Sequence, residues 1–354
     1  MYKIGYINTR GKRDSTGVGS YRSNLYSNME CLAVEFNLEL KQIIDRRKFE
    51  KIFDSFIIPY RGFDLIHFEP DLHWYAGSWL TKLFSGSTKI AVTIHGTSPL
   101  LFPELVPKKQ TVRVEFLKRI SWAIDGIFTV SEIEKETIVK NLNLNESKVY
   151  VTYNGNNMLK LKQENLGDAI NFPYKRDYIL HVSNNTPWHK RPKLLIKSFK
   201  KTADKFSDID LIIVGDRWKT KSITKLISDL GLEKRIFRLG HKEQKVLPQY
   251  YQNAILYLQT SRYESFGLPV VEAMTFGVPV ISTRAHAVPE VAKGGALFAE
   301  DDSTSISNAI EQVLLDDKLY EQLSRQGEKI AERYTWEKTA KKTMKSYIEI
   351  IENN

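Results

Sequence analysis

Twelve short β-rich runs, each followed by a stretch of helical periodicity, fall into two sets of six along the chain. The first set is KIGYIN (3–8), LELKQII (38–44), DLIHFE (64–69), KIAVTIHG (89–96), GIFTVS (126–131) and KVYVTYNG (148–155). The second is YILHVS (178–183), DLIIVG (210–215), IFRLG (236–240), AILYLQT (254–260), VPVIST (278–283) and ALFAE (296–300). Strand-then-helix alternation specifies parallel sheets covered by helices on both faces. The expected fold class is therefore α/β, with two Rossmann-like doubly wound domains and a cleft between their strand ends. A length of 354 residues agrees, because one core serves about 100–200 residues. Residues 1–160 form the expected N-terminal domain and 161–335 the C-terminal one, with a polar stretch near 156–176 as linker. The segment WEKTAKKTMKSYIEIIENN (336–354) reads as a helix that packs back toward the first domain.

The net charge of +10 raises the question of a nucleic-acid partner. Split after residue 160, the halves hold 22 Lys+Arg against 17 Asp+Glu, and 30 against 25, so each carries +5. An even spread with no groove-binding motif argues against nucleic acid and suits contact with phosphate-bearing substrates or an anionic membrane. The lone Cys31 can form no internal disulfide, and Lys3 interrupts the apolar start MYKIGYIN, unlike a secretory leader. A cytoplasmic protein is expected. The longest apolar runs fall well short of the ~20 residues that span a bilayer.

In doubly wound sheets ligands sit beyond the carboxyl ends of the strands, so the loops there hold the candidates. After the first strand, Gly17 and Gly19 open a helix, where bare backbone can approach an anion or a sugar hydroxyl. The loop is too long, and lacks the third glycine, for a dinucleotide fingerprint, and a flexible turn also accounts for it. His95, in TIHGTSP, stands before Gly96 at the end of the fourth strand, in either a structural or a functional role. No HExxH or Cys-His pairing accompanies the seven histidines, so no metal is expected. After the seventh run, NNTPWHKRPKLL puts Lys190 and Arg191 at a helix start, against the helix dipole. A phosphate placed between the helix start and Lys190 would satisfy both, although an exposed basic turn is the alternative.

The stretch ESFGLPVVE places Glu264 and Glu272 on either side of a Gly-Leu-Pro turn. Pro269 suits a first helical turn and Gly277 the residue after a last one, which predicts a short helix over 268–276. The free amides of Gly267 and Leu268 can then hold a diphosphate without a metal. Glu272, one turn inside, reaches vicinal ribose hydroxyls, and Glu264, before the turn, projects to the other side toward a sugar.

Several ordered motifs together resemble the retaining, nucleotide-sugar-dependent glycosyltransferases of the GT-B type, family four, also called group one. They are the Glu, seven residues, Glu signature from Glu264 to Glu272, the Gly17-Val18-Gly19 loop, THG at His95, TVSEIEKE from Thr129, VTYNG from Val151, the Lys190 loop and VPEVAKGGALF from Val288. The resemblance covers nearly the whole chain. It implies that Glu272 binds the donor ribose, Glu264 contacts the transferred hexose and Lys190 neutralises the diphosphate. Backbone from Phe266 to Leu268 would hold phosphate and sugar, His95 and the Gly17 loop would come from the other domain, and the segment around Leu239 and Gly240 would wrap the base. Glu290, in VPEVA, is a further candidate. Many relatives carry Arg where this chain has Asn184, and Arg where it has His189, which throws the phosphate charge onto Lys190 with help from Arg191 or Arg262.

Catalysis is expected from Glu264, Lys190 and His95, with neither cofactor nor divalent ion, because fixed cationic and dipolar groups stabilise the departing diphosphate. The acidic DID at 208–210 precedes a strand and lies at its amino end, away from the ligand edge. The resemblance implies a nucleotide-sugar donor, UDP or GDP, and a glycan or lipid-linked hydroxyl as the expected acceptor. The segment KKQTVRVEFLKRI (108–120) reads either as a basic amphipathic helix for a lipid-linked acceptor or as a plain solvated helix. The rival readings are a nicotinamide-dependent oxidoreductase, a sugar-nucleotide epimerase or phosphorylase, and a non-catalytic carbohydrate-binding scaffold.

Overall fold

A computed structural model describes residues 1–9, 17–45, 62–68, 86–164, 174–184 and 187–353. The chain divides into two compact units, one of residues Met1–Gly155 with Trp336–Asn354, the other Asn156–Thr335.

The first unit contains β1 (Tyr2–Thr9), β2 (Leu38–Asp45), β3 (Leu65–Phe68), β4 (Lys89–Ile94), β5 (Gly126–Thr129) and β6 (Val149–Val151). They pair in parallel in the order β2-β1-β3-β4-β5-β6. Strands β3 and β5 are buried along their whole length, as expected when helices cover both faces. One buried cluster, with Ile66, Ile90, Val92, Ile127 and Ile138 among its members, forms the core. The helix Lys108–Ile120 has the predicted limits, and buries Leu117 and Ile120 in that core while leaving Val112 exposed. The terminal helix Trp336–Glu352 packs on the helix Gly17–Leu32. Buried Tyr347 of that helix bonds His67 Nδ1 on β3 at 2.5 Å.

The second unit contains β7 (Tyr178–Val182), β8 (Asp210–Val214), β9 (Ile236–Arg238), β10 (Leu256–Gln259), β11 (Val280–Thr283) and β12 (Ala296–Ala299). All pair in parallel, in the order β12-β11-β10-β7-β8-β9. The chain leaves β7 for β8 and β9 on one side, then returns to place β10 on the other. The sheet's switch point therefore lies between β7 and β10, and a ligand crevice is expected at their carboxyl ends.

Part of the stretch read as a linker is folded. A short helix, Met158–Gln163, buries Met158 in the second unit, and Lys162 reaches the Thr275 carbonyl at 2.8 Å and Glu328 at 2.7 Å. The Asp208–Asp210 acidic cluster lies at the amino end of β8. The Asp210 carboxylate accepts from Arg235 Nε at 2.8 Å and lies 3.4 Å from Arg176 Nε. It is a structural ion pair. Among the described residues no helix is long and apolar enough to cross a membrane.

Candidate active site

The loops that follow β7 and β10 supply the residues that meet at the switch point. After β7, a single helical turn, Pro187–Lys190, ends at Arg191, whose φ of 53° breaks it from the helix Pro192–Lys205. This sharp turn aims Lys190 and Arg191 in different directions. Arg191 forms an ion pair with Asp301, beyond β12. Lys190 Nζ lies 2.5 Å from Glu264 Oε1, and both side chains are largely buried, 14% and 11% exposed.

Glu264 is held by more than the lysine. Gln259 Nε2, at the end of β10, donates to the same Oε1 at 2.5 Å, and Ser261 Oγ donates at 2.6 Å. Its backbone carbonyl accepts the Ala287 amide at 3.1 Å, tying the β10 loop to the loop after β11. Burial alone would raise the Glu264 carboxyl, but the Lys190 ammonium and the hydrogen bonds from Lys190 and Ser261 outweigh it and hold the group below the ordinary 4.5. Glu264 is therefore a fixed carboxylate at neutral pH, with its second oxygen, Oε2, bonded to no described residue.

Two histidines close to this pair stay neutral. His189 is lowered to about 4 by burial first and by the Lys190 charge second. His181 on β7 is likewise lowered to about 4 by burial, and its ring bridges the Leu258 carbonyl and Ser183 Oγ, each at 2.7 Å.

The Gly-Leu-Pro turn takes the shape its composition dictates. Gly267 has φ 90° and ψ 47°, a left-handed conformation suited to glycine, and caps the helix Leu268–Thr275 with Pro269 in the first turn. A Cβ there would lie 3.2 Å from Val288 Cγ2. The amides of Gly267 and Leu268 have no acceptor among the described residues, so they remain available to an anion at the helix start. Phe266 packs edge-on against Tyr334, fixing the turn from beneath.

Glu272, one turn along, differs from Glu264. Its partner is a neutral hydroxyl, Tyr251 Oη at 2.7 Å, and burial raises its carboxyl, with that hydrogen bond offsetting only part. A half-buried carboxylate with no cation beside it among the described residues gains from ligand hydroxyls that can donate to it.

The neighbouring strand ends complete the edge. Asn184, after β7, accepts the Asp216 amide at 2.8 Å, and Gly215, after β8, donates to the Gly240 carbonyl at 2.9 Å. Gly240 thus lies along the same carboxyl edge, with φ 71°. Glu290 stands in the first turn of the helix Val288–Ala292.

In the first unit, His95 follows β4, half-buried, with its ring edge-on to Tyr21 at 4.5 Å, and Tyr21 in turn meets Trp336 at 5.6 Å. Gly17 and Gly19 begin the helix Gly17–Leu32, while residues 10–16 of the preceding loop lie outside the described residues. Three members of the second-unit cluster were missed in the sequence: Gln259, Ser261 and Tyr251. For Gln259 and Ser261 only their proximity to Glu264 and the apolar run before them offered a signal, and for Tyr251, 21 residues from Glu272, none did.

Comparison with known proteins decides the family. The description Glycosyltransferase Family 4 matches residues 32–158, and Glycosyl transferases group 1 matches residues 162–330. The chain is a family four glycosyltransferase with the GT-B fold. It is 29% identical over 224 residues to the O-antigen chain mannosyltransferase RfbU of Salmonella typhimurium, covering 63% of this chain and 60% of that protein. It is 27% identical over 272 residues to O-antigen chain mannosyltransferase B of Escherichia coli, covering 73% and 70%. The first alignment thus spans about three fifths of its relative's length. Among solved structures, Anabaena HepE in complex with UDP and glucose superposes with a TM-score of 0.72 at 19% identity, over 99% of this chain and all of that one. At that identity the likeness bears on the fold.

Proposed function

We propose that this glycosyltransferase moves a hexose, of mannose or glucose type, from a UDP- or GDP-sugar to a hydroxyl of a glycan or lipid-linked acceptor, with retention and without a metal. The observation that carries the reading is the Lys190–Glu264 pair beside the uncommitted amides of Gly267 and Leu268, all at the sheet's switch point. A diphosphate on those amides brings negative charge within reach of Lys190, and a sugar beyond it meets the free oxygen of Glu264. Glu272 then receives the ribose hydroxyls.

In the reaction, the bond between the sugar's first carbon and the diphosphate oxygen breaks as the acceptor oxygen bonds to that carbon on the same face. The acceptor's proton passes to the leaving phosphate oxygen. Lys190 and the helix amides stabilise the charge on the leaving group. Glu264 serves as a hydrogen-bond acceptor for the sugar, because its carboxylate is already engaged by three donors. The mannosyltransferase names among the relatives support a hexose donor, and the UDP and glucose bound to HepE support a nucleotide-sugar pocket in this fold.

The test is a panel of UDP- and GDP-hexoses with glycan and lipid-linked acceptors, scored by nucleotide release and by NMR of the product anomer, with and without EDTA. Acceptor-dependent release from one donor, retained configuration and indifference to EDTA are expected. An inverted anomer or an EDTA-abolished rate would contradict the mechanism, and no release from any donor would contradict the function.

A further inference from the structure

Strand β10 directs Leu256 and Leu258 into the apolar core of the second unit and, by the two-residue period of a strand, sends Tyr257 and Gln259 to its other face. A glutamine with no exposed surface is costly unless every polar atom is bonded, and here each one is. Tyr257 Oη donates to the Gln259 side-chain carbonyl at 2.8 Å. The two Nε2 hydrogens go to Ser261 Oγ at 2.9 Å and to Glu264 Oε1 at 2.5 Å. Ser261 Oγ, having accepted from the amide, donates its own hydrogen to Oε1 at 2.6 Å. The carboxylate demands donors, so the amide can face it only with its NH2 group, and the tyrosine hydroxyl on the far side fixes that orientation.

We infer that Gln259 is a positioning residue for Glu264: with Ser261 and Lys190 it saturates Oε1, and so dedicates Oε2 to the hydroxyls of the bound sugar. The inference rests on the donor-site reading above and adds a residue to it. A carboxylate shared between Lys190 and a ligand can rotate or follow the lysine when a diphosphate draws that lysine away. Two neutral donors rooted on β10 and its loop do not move with the ligand. They keep Oε1 occupied when Lys190 turns to the phosphate, and the sugar meets the same acceptor at every stage of turnover.

The charged and titratable groups that face this assembly are Lys190 and His189 from the β7 loop, His181 from β7, Tyr257 from β10 itself and, on the far side of Tyr257, Tyr251 with Glu272 of the helix Leu268–Thr275, whose carboxyl burial raises. The two histidines, lowered to about 4, and Tyr257, raised well above the ordinary 10.0 first by burial, keep constant charge near neutrality. A pH effect introduced at position 259 is therefore read as the ratio of variant to wild type, in which Glu272, common to both, cancels.

Three variants test the inference in the full-length enzyme. Gln259→Leu removes both donated hydrogens, and kcat should fall on the order of 100-fold, the cost of roughly 1 Å of misplacement. The Kd for UDP or GDP should stay near wild type, because the nucleoside diphosphate does not use Glu264, whereas the melting temperature should fall, because the buried Ser261 and Glu264 each lose a donor. Gln259→Glu is a rescue variant: ionised, it repels Glu264, but protonated it restores an O–H donor to Oε1 and a carbonyl for Tyr257. Its kcat relative to wild type should climb roughly tenfold between about pH 8 and about pH 6. A flat ratio, or full kcat in Gln259→Leu, overturns the inference. Should Gln259→Leu fail to fold, Tyr257→Phe removes a single hydroxyl and should still lower kcat several-fold at unchanged Kd; undiminished kcat there overturns the inference. The carboxyl carbon NMR titration of Glu264 separates this inference from the function itself. If the wild type turns over no donor, the function fails, while an upward shift of the Glu264 titration in Gln259→Leu still supports the positioning role, and an unmoved titration refutes it.

Discussion

Replacing Lys190 by alanine should lower kcat with a nucleotide-sugar donor about 100- to 1000-fold, the loss that follows removal of one preorganised group from a developing oxyanion. The same change should cost stability without any ligand present. Lys190 and Glu264 lie 2.5 Å apart with little exposure, so deleting the lysine leaves a buried carboxylate held only by the neutral donors of Gln259 and Ser261. Removing one partner of a buried pair costs about 3 kcal/mol or more. The pH dependence of that cost has a definite sign. In the wild type, the Glu264 carboxyl is held below its unfolded value of 4.5, so its contribution is fully present above that value and fades as pH falls through the lower folded one. Without the lysine, burial dominates and the folded carboxyl rises, so the variant is penalised at neutral pH and relieved as acid protonates it. The gap in melting temperature between wild type and Lys190→Ala should therefore be widest near neutrality and close on acidification. A constant gap across pH would mean that the lost contact is packing by the lysine stem and not charge. The double variant Lys190→Ala with Glu264→Gln should recover part of the lost stability and none of the activity.

The second large effect is expected at Gly267. Any side chain there must adopt φ 90°, which costs an L-residue about 1–2 kcal/mol, and its Cβ presses on Val288 at 3.2 Å. The loop relieves both by shifting, which moves the two amides that are to receive the diphosphate. Gly267→Ala should bind UDP or GDP at least about tenfold more weakly and lose on the order of 100-fold in kcat, since about 1 Å of displacement is enough. Gly267→Val, β-branched and bulkier, should be worse on both counts and melt lower. Isothermal titration and thermal denaturation of the two variants check this. Wild-type nucleotide affinity in Gly267→Ala would show that those amides are not the phosphate cradle.

The sheets were legible in the sequence because of their parallel architecture. Strands buried on both faces must be near-continuous apolar runs, and runs such as DLIIVG and GIFTVS lie on β8 and β5 with limits differing by at most two residues at either end. The helix at Leu268–Thr275 was legible because Pro269 and Gly277 punctuate it. The short helix Met158–Gln163 was not, because six residues with one buried side chain leave no periodic signal. At the site, Glu264, Lys190 and Glu272 announce themselves as polar residues beside glycine and proline turns. Their pairing does not. Sequence reasoning sent Glu264 away from the phosphate side, whereas the closeness of β7 and β10 in the sheet order puts its carboxylate on Lys190, 74 residues away. Gln259 was hidden for a related reason. It ends a run of apolar strand residues, and only the three-dimensional crossing of Tyr257, Ser261 and Glu264 gives its amide a task.

The account depends most on where a diphosphate sits. A crystal structure of this protein with UDP or GDP tests that directly. The expected result has phosphate oxygens within hydrogen-bonding distance of the Gly267 and Leu268 amides, Lys190 turned from Glu264 to the phosphate, and the ribose on Glu272. A nucleotide bound elsewhere, with Lys190 still on Glu264 and those amides untouched, would contradict it.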